Sequence, residues 1–456
     1  ARNLADRIPR KPKPRSHSPA SAISDVLLTP DNRYALWIEC LGLSCEVVRL
    51  EISTLELATI ALSGPPVTEL TLTPDGTVAL IGTYIHLDVI EIDPLAKRIF
   101  ADDNWIYDPI TAVSITPDSN KALVGTAQGV AIARLDAIPI TVTELRGTGL
   151  PITGISISPD GSRALVGIED GYTVIDAATE TIDVTERTSG TPVDNIAVDS
   201  DSTLATYAYI DGIVKIDLAA GGSFTRHVCA RSPVTDIDIT PDGKYAVVGT
   251  EDEDPTASHR VDVCALELAS GVVTNVPLDQ SGSPGGPIRT GISITPDQPT
   301  TRVALGIEAG VAVVAMDGAS PGLVGVFTDA AEPVVNTSIT PTKVTDIIDG
   351  SGGEHYLGVV GNKAGFTYLF RLTDAVQAED GEYTTGRPLI AATISGDSDK
   401  AVIGTVDGTW IIDIGDRDIV DQPIDPDSPQ LNALPDDTQP PLNPSGERGK
   451  SVSREG

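Results

Sequence analysis

The sequence predicts an all-β fold, a β-propeller of four-stranded antiparallel blades with about nine repeat units. Three observations lead to this prediction. One apolar segment ending in Thr/Ser-Pro-Asp recurs along the chain, its copies are spaced by roughly 40 residues, and apolar residues alternate with a period of two between turn residues. Frequent Pro, Gly and β-branched residues disfavour helices.

The recurring segment marks the first strand of each unit. In Gly154-Ile-Ser-Ile-Ser-Pro-Asp160, isoleucines alternate with serines before a tight turn. Wider spacing of the last three units, with insertions near 277–287 and 342–354, leaves eight or seven blades as alternatives to nine. Six clear copies begin at Asp25, Glu69, Ala112, Gly154, Asp236 and Gly291, and three degenerate copies begin at Asn195, Thr337 and Ala392.

The other strands of a unit follow in order, as residues 152–187 illustrate. Arg163-Ala-Leu-Val-Gly-Ile168 is a nearly continuous apolar strand, typical of burial on both faces. A third strand at 172–176 and a more polar fourth strand at 182–187 complete the sheet. Because this sheet has two faces to bury and no helix to cover them, it must stack against copies of itself.

Radial stacking gives a propeller, and a parallel β-helix is the alternative architecture. The β-helix is disfavoured because its coils are shorter than these units. The last unit has three clear strands and a weak fourth at Asp418–Ile424, so the N-terminal segment is an alternative source of the strand that closes the ring.

A family resemblance accompanies this pattern. The unit at 152–188, with Ser-Pro-Asp-Gly, Ala-Leu-Val-Gly and Thr-Val-Ile-Asp-Ala-Ala-Thr-Glu-Thr, resembles the YVTN-type β-propeller repeat, which is related to PD40 and lactonase-like propellers. The resemblance extends over residues 22–418 and is to the superfamily, because Ala-Leu-Val-Gly replaces the Tyr-Val-Thr-Asn of the family. It implies a propeller and a microbial surface location, but the matching turn and core positions assign no activity.

The composition predicts three segments: a basic N-terminal arm at 1–21, a propeller at 22–424 and an extended Pro/Asp-rich tail at 425–456. The arm contrasts with the acidic body, so we expect it to bind a protein partner or another copy of the chain. Its basic residues are Arg2, Arg7, Arg10, Lys11, Lys13 and Arg15.

The charge excludes some functions. A net charge of −34 repels nucleic acid and anionic membranes. No apolar run approaches the roughly 20 residues of a membrane helix, so no direct membrane span is expected. We interpret the chain, which begins with Ala1 and lacks an apolar signal-peptide core, as a mature form, and expect an extracellular, cell-surface or periplasmic location.

The four cysteines are expected to form two disulfides. Cys40 and Cys45 flank a predicted hairpin turn, and a bridge between them would close it. Cys229 and Cys264 then pair by elimination. Four buried free thiols are the alternative.

The sequence offers no catalytic centre and no cofactor motif. Its five histidines have no paired spacing suited to zinc, and it lacks a Gly-x-Ser-x-Gly elbow, a phosphate-binding loop and a dinucleotide fingerprint. The most acidic loop contains Glu251, Asp252, Glu253 and Asp254, whose carboxylates suit Ca²⁺. Because their spacing differs from an EF-hand loop, a solvated acidic hairpin is the favoured interpretation.

Other conspicuous residues receive structural interpretations. The repeated carboxylates of the Pro-Asp turns are expected to cap their own turns. We expect Met316 to lie in the core, and Trp105, Tyr107 and Trp410 to pack rather than stack on a ligand.

Three functional hypotheses remain. The favoured one is a non-catalytic, secreted or surface scaffold that self-assembles or docks partners through its extended termini. A lactonase-like or metal-dependent hydrolase with a site at the channel mouth is the first alternative. A soluble peptide- or sugar-binding propeller is the second.

Overall fold

The computed structural model describes residues 22–419, apart from short connecting segments, the longest of which are 101–108, 252–260, 279–287 and 346–353. Its described part is all-β, with nine four-stranded antiparallel sheets. Each sheet is a blade built from consecutive strands, as the repeat predicts.

The strands are numbered in chain order. Blades 1 to 3 contain β1 to β12: Ala22–Leu28, Tyr34–Leu41, Ser44–Glu51, Glu56–Ala61; Val67–Leu72, Val78–Thr83, Leu87–Glu91, Ala96–Lys97; Ile110–Ile115, Lys121–Thr126, Val130–Arg134, Thr141–Leu145. Blades 4 to 6 contain β13 to β24: Ile152–Ile157, Arg163–Ile168, Gly171–Asp176, Thr181–Arg187; Ile196–Val198, Leu204–Tyr209, Gly212–Asp217, Ser223–Val228; Val234–Ile239, Tyr245–Glu251, Val261–Glu267, Val273–Pro277. Blades 7 to 9 contain β25 to β38: Ile288–Ile294, Arg302–Ile307, Gly310–Ala315, Gly322–Thr328; Val334–Ile339, Val344–Thr345, Glu354–His355, Leu357–Asn362, Phe366–Arg371, Val376–Thr384; Leu389–Ile394, Lys400–Thr405, Gly408–Asp413, Asp418–Ile419.

Blade 8 departs from the simple meander. In blade 8 the short hairpin of β30 and β31 is inserted between the first and second strands. Blade 9 completes its four strands within its own unit, with β38 as the fourth, so the described part of the chain shows no strand shared between the first and last blades. The ring instead closes by contact between β1 of blade 1 and β35 of blade 9.

The hydrophobic core is divided among the junctions between blades. Nine clusters of buried side chains each combine residues of two neighbouring blades. At the closing junction, Trp37 of blade 1 packs with Val402 and Ile411 of blade 9. Stacking of identical units therefore buries both faces of every sheet, and the innermost strands border a central channel.

Candidate interaction surfaces

The alternating strand directions give the disc two unlike faces. The turn face carries the turns between first and second strands and between third and fourth strands. The loop face carries the remaining hairpin turns and the connections between blades. Because β1 is a first strand, the chain reaches Ala22 on the loop face, and because β38 is a fourth strand, it leaves Ile419 on the same face.

On the turn face, each Thr/Ser-Pro-Asp turn is closed by its own side chains. In blade 3 the Thr116 hydroxyl donates to Asp118 Oδ1 at 2.6 Å and accepts the Lys121 N–H at 3.0 Å, while Asp118 Oδ1 accepts the Asn120 N–H at 3.1 Å. The same hydroxyl-to-carboxylate bond recurs in other blades, so the predicted capping role is confirmed. The recurring pairs are Thr29–Asp31, Thr73–Asp75, Ser158–Asp160, Thr240–Asp242 and Ser395–Asp397.

These hydrogen bonds keep the turn carboxylates ionised. The bond from the Ser158 hydroxyl outweighs partial burial and, with the bonds from Ser162, lowers the pKa of Asp160 to about 2. The bond from Thr116 likewise lowers the pKa of Asp118. The turn face of blades 1 to 4 therefore presents a series of carboxylates with lowered pKa values: Asp31, Asp75, Asp118 and Asp160.

Basic side chains connect consecutive blades near this face. Each side chain donates a hydrogen bond to the carbonyl oxygen of the residue that follows the third strand of the next blade. We call each of these hydrogen bonds a clasp, because it connects two blades. Five clasps join blades 1 to 6 in sequence: Arg49 to Ile92 O at 2.5 Å, Arg98 to Leu135 O at 2.6 Å, Lys121 to Ala177 O at 3.0 Å, Arg163 to Leu218 O at 2.6 Å, and Lys215 to Leu268 O at 2.9 Å.

Beside the channel, blade 6 differs from blades 3 and 4. Its innermost strand β21 carries Asp236 and Asp238, whereas blades 3 and 4 have small residues at those positions. Asp236 Oδ2 accepts the Ile292 N–H of blade 7 at 3.0 Å. Burial raises the pKa of Asp238 to about 6. The charge of Asp236 also raises this pKa, whereas the hydrogen bond donated by the Ile239 N–H lowers it.

Asp238 should therefore make stability depend on pH. Its pKa is higher in the folded protein than in the unfolded chain, so it favours folding fully below about pH 4, and this contribution is lost as pH rises through about 6. We expect Asp238→Asn to raise the free energy of unfolding at pH 8, by at most about 3 kcal/mol before solvent screening, and to change it little at pH 4. Urea unfolding at pH 4, 6 and 8 measures this. Asp136→Asn, on an exposed turn, controls for the lost charge, and an Asp238→Asn effect that does not vary with pH would contradict the expectation.

An aromatic cluster, the rim cluster, extends from the buried core between blades 4 and 5 to the exposed Phe224 on the outer strand of blade 5. Tyr172 lies 5.9 Å from Tyr207 and 6.4 Å from Phe224, measured between ring centroids. The Arg226 guanidinium lies 4.1 Å from the Tyr209 ring centroid and donates to Asp211. Aromatic side chains and Arg are enriched at the centres of protein interfaces. This cluster is notable because only 4% of the residues are aromatic.

The two predicted disulfides are present. Cys40 and Cys45 are cross-strand partners on β2 and β3 in blade 1, and their bridge closes the hairpin. Cys229 follows the last strand of blade 5 and Cys264 lies on β23 of blade 6, so the second bridge joins two blades.

Several predicted site residues lie outside the described part. These are the basic residues of the arm, Asp252, Glu253 and Asp254 of the acidic loop, and Trp105 and Tyr107. Glu251 ends β22 on the loop face. Met316 and Trp410 are buried, as expected. The described residues therefore do not test the predicted Ca²⁺ site.

Two features are absent from the described residues. No group of three or more His, Cys, Asp or Glu side chains there is arranged to hold a metal ion. Nor does that part of the chain contain a helix long and apolar enough to cross a membrane.

Sequence reasoning missed the clasps, the channel carboxylates and the rim cluster. A signal for Asp238 was present, because aligning the repeated segments shows an acid where blades 3 and 4 have Ser114 and Ser156. The rim cluster had no such signal, since its residues come from two units.

No protein-family model matches this chain, and no curated protein matches it. Solved structures do. The Dos1 propeller has a TM-score of 0.53 at 12% identity, with 76% of this chain and 90% of that chain covered. Hydrazine synthase of Kuenenia stuttgartiensis has a TM-score of 0.48 at 17% identity, covering 78% and 97%. The C-terminal WD40 domain of Sif2 has a TM-score of 0.47 at 16% identity, covering 67% and 82%. The likeness to the Dos1 propeller supports the propeller fold and nothing further.

Proposed function

We propose that this protein is a non-catalytic scaffold whose discs dock onto one another through the basic N-terminal arm. The proposal rests on the difference between the two faces of the disc. The arm joins the propeller on the loop face, whereas the series of turn carboxylates lies on the opposite face. A second disc stacked on the loop face would bring its carboxylates next to the arm.

Charge and symmetry support this arrangement. Residues 1–16 contain six basic residues and one acid, in a chain of net charge −34. Opposite charges attract over about 10 Å at moderate ionic strength. A contact between unlike faces is heterologous, so repeated docking gives a ring or an open filament rather than a closed dimer. The clasps and disulfides would make each disc a rigid unit of such an assembly.

We further propose that the protein works outside the cytosol and belongs to the YVTN-type propellers. Two disulfides fit an oxidising compartment. The repeated Thr/Ser-Pro-Asp turns and the two Ala-Leu-Val-Gly segments support the family assignment.

Neutralising the arm tests the docking. One variant replaces Arg2, Arg7, Arg10, Lys11, Lys13 and Arg15 with Gln, and a matched control exchanges Arg and Lys so that the charge is kept. Light scattering and negative-stain microscopy from about 0.05 to 1 M salt measure the mass and shape. We expect the native chain and the control to form assemblies far above the 47.5 kDa monomer at low salt, and the neutral variant to stay monomeric.

High salt should dissociate the native assemblies, because the attraction is between exposed charges. A native chain that is monomeric at every salt concentration would overturn the proposal, as would a neutral variant that assembles equally well.

A further inference from the structure

The outer edge of blade 5 leaves an unusual strand open to solvent. Strand β20 is the last strand of its sheet and pairs only with β19. Phe224 and Val228 are 50% and 60% exposed, and the side chain of Arg226 is 43% exposed. Alternate residues of a strand share a face, so this face of β20 presents an apolar, a cationic and an apolar side chain in order.

The backbone of the same three residues points away from the sheet. Cys229 N–H donates to Asp211 O at 2.9 Å, which makes these two residues a hydrogen-bonded pair. Hydrogen-bonded pairs alternate with non-hydrogen-bonded pairs along antiparallel strands. The backbone hydrogen bonds to β19 are therefore made by every second residue of β20, namely Ser223, Thr225 and His227. The N–H and C=O groups of Phe224, Arg226 and Val228 are therefore directed to the open edge.

Neighbouring blades hold both ends of β20. Before the strand, the Tyr172 hydroxyl of blade 4 donates to Gly222 O at 2.7 Å. After it, Cys229 is bridged to Cys264 of blade 6. An edge fixed at both ends loses little conformational entropy when it binds a partner.

Most other outer strands carry a feature that discourages pairing. β8 and β38 have only two residues, β24 ends in Pro277, and β4, β12, β16 and β34 carry acidic side chains. β28 lacks charge, but its described side chains are half-buried. β20 has six residues, without Pro, Lys or an acid. Exposed edges of this kind are available for pairing with another chain.

We propose that β20 binds an extended segment of a protein partner as a fifth strand of blade 5. The fitting segment places an acidic side chain between two apolar ones, so that the acid lies opposite Arg226 and the apolar residues lie opposite Phe224 and Val228. A second copy of β20 does not fit, because its full-length antiparallel pairing sets Arg226 against Arg226. This surface is separate from the arm and adds a binding activity to the proposed scaffold.

Designed peptides test this site. The probe is acetyl-Thr-Val-Thr-Glu-Thr-Val-Thr-amide with a fluorophore, and its control has Lys in place of Glu. Fluorescence anisotropy at about 0.15 M salt limits repulsion by the acidic body. We expect the Glu peptide to bind about fivefold more tightly than the Lys peptide, and Arg226→Glu to reverse this preference. A reversal cannot come from misfolding, which would weaken both peptides.

Backbone methylation distinguishes strand addition from simple charge attraction. N-methylation of the two Val and the Glu removes the donors that face β20 and should abolish binding, whereas N-methylation of the inner Thr residues should not. Absence of binding, equal binding of the two peptides, or indifference to the site of methylation would overturn the inference. The arm-neutral variant should bind the peptide normally, so failure here and failure of disc docking are distinguishable.

Discussion

Gly167→Ala is expected to lower the free energy of unfolding by about 3 kcal/mol or more. A Cβ at this position would lie 1.7 Å from Val193 O and 2.8 Å from Thr153 Oγ1. Val193 belongs to the segment that enters blade 5, so the clash is with backbone of the next blade and no side-chain rotation relieves it. Relief requires moving one blade away from another, at the expense of the core between them.

Two further glycine-to-alanine substitutions provide a comparison for Gly167→Ala, with the free energy of unfolding of each variant measured in urea. A Cβ on Gly125 would lie 2.6 Å from Ile152 Cγ2, a side-chain atom, so Gly125→Ala should cost less, about 1 to 2 kcal/mol. A Cβ on Gly322 would meet nothing within 4 Å, so Gly322→Ala should be neutral or slightly stabilising. Equal effects at the three positions would show that close approach between blades is not the reason for glycine at 167.

Removing the disulfide between blades is expected to have the second large effect. Cys229 and Cys264 are 35 residues apart in sequence, against five for Cys40 and Cys45. Because a disulfide chiefly restricts the unfolded chain, we expect Cys229→Ala/Cys264→Ala to cost about 4 kcal/mol, and Cys40→Ala/Cys45→Ala about 2 kcal/mol.

Urea unfolding of both double variants, with and without reductant, measures the difference. Reductant should destabilise each variant only by the contribution of the bridge it retains. A larger loss from the short-range bridge would contradict the chain-entropy explanation.

The repeat alone predicted much of the fold. The six Thr/Ser-Pro-Asp segments and their three degenerate copies located nine first strands. The clear copies are recognisable because each turn is closed by residues within five positions of one another. The Ile/Val-Gly pair near the end of the second strand now has a physical reason, which is the approach of the next blade at Gly82, Gly125 and Gly167. The Cys40–Cys45 bridge was predictable because its two residues belong to one hairpin.

Features formed between units were not predictable in this way. Arg49 lies on a third strand, Lys121 on a second strand, and Arg98 just after a fourth strand, so the clasps have no constant place in the repeat. Exposure of Phe224 and Val228 depends on how far neighbouring blades cover β20, and a period-two pattern carries no such information. The pKa of Asp238 is raised because this residue is partly buried and lies near Asp236. Asp236 in turn is held by the Ile292 N–H of blade 7, so this environment also depends on a second blade.

The most direct test of the scaffold asks which face the arm touches, and in which copy. A carbodiimide joins a lysine amine to a carboxylate without a spacer, and mixing unlabelled with ¹⁵N-labelled chains distinguishes links between copies in mass spectra. We predict links from Lys11 and Lys13 to turn carboxylates such as Asp75 and Asp118 of the differently labelled copy. Links confined to one copy, or made only to loop-face acids such as Glu251, would contradict the account.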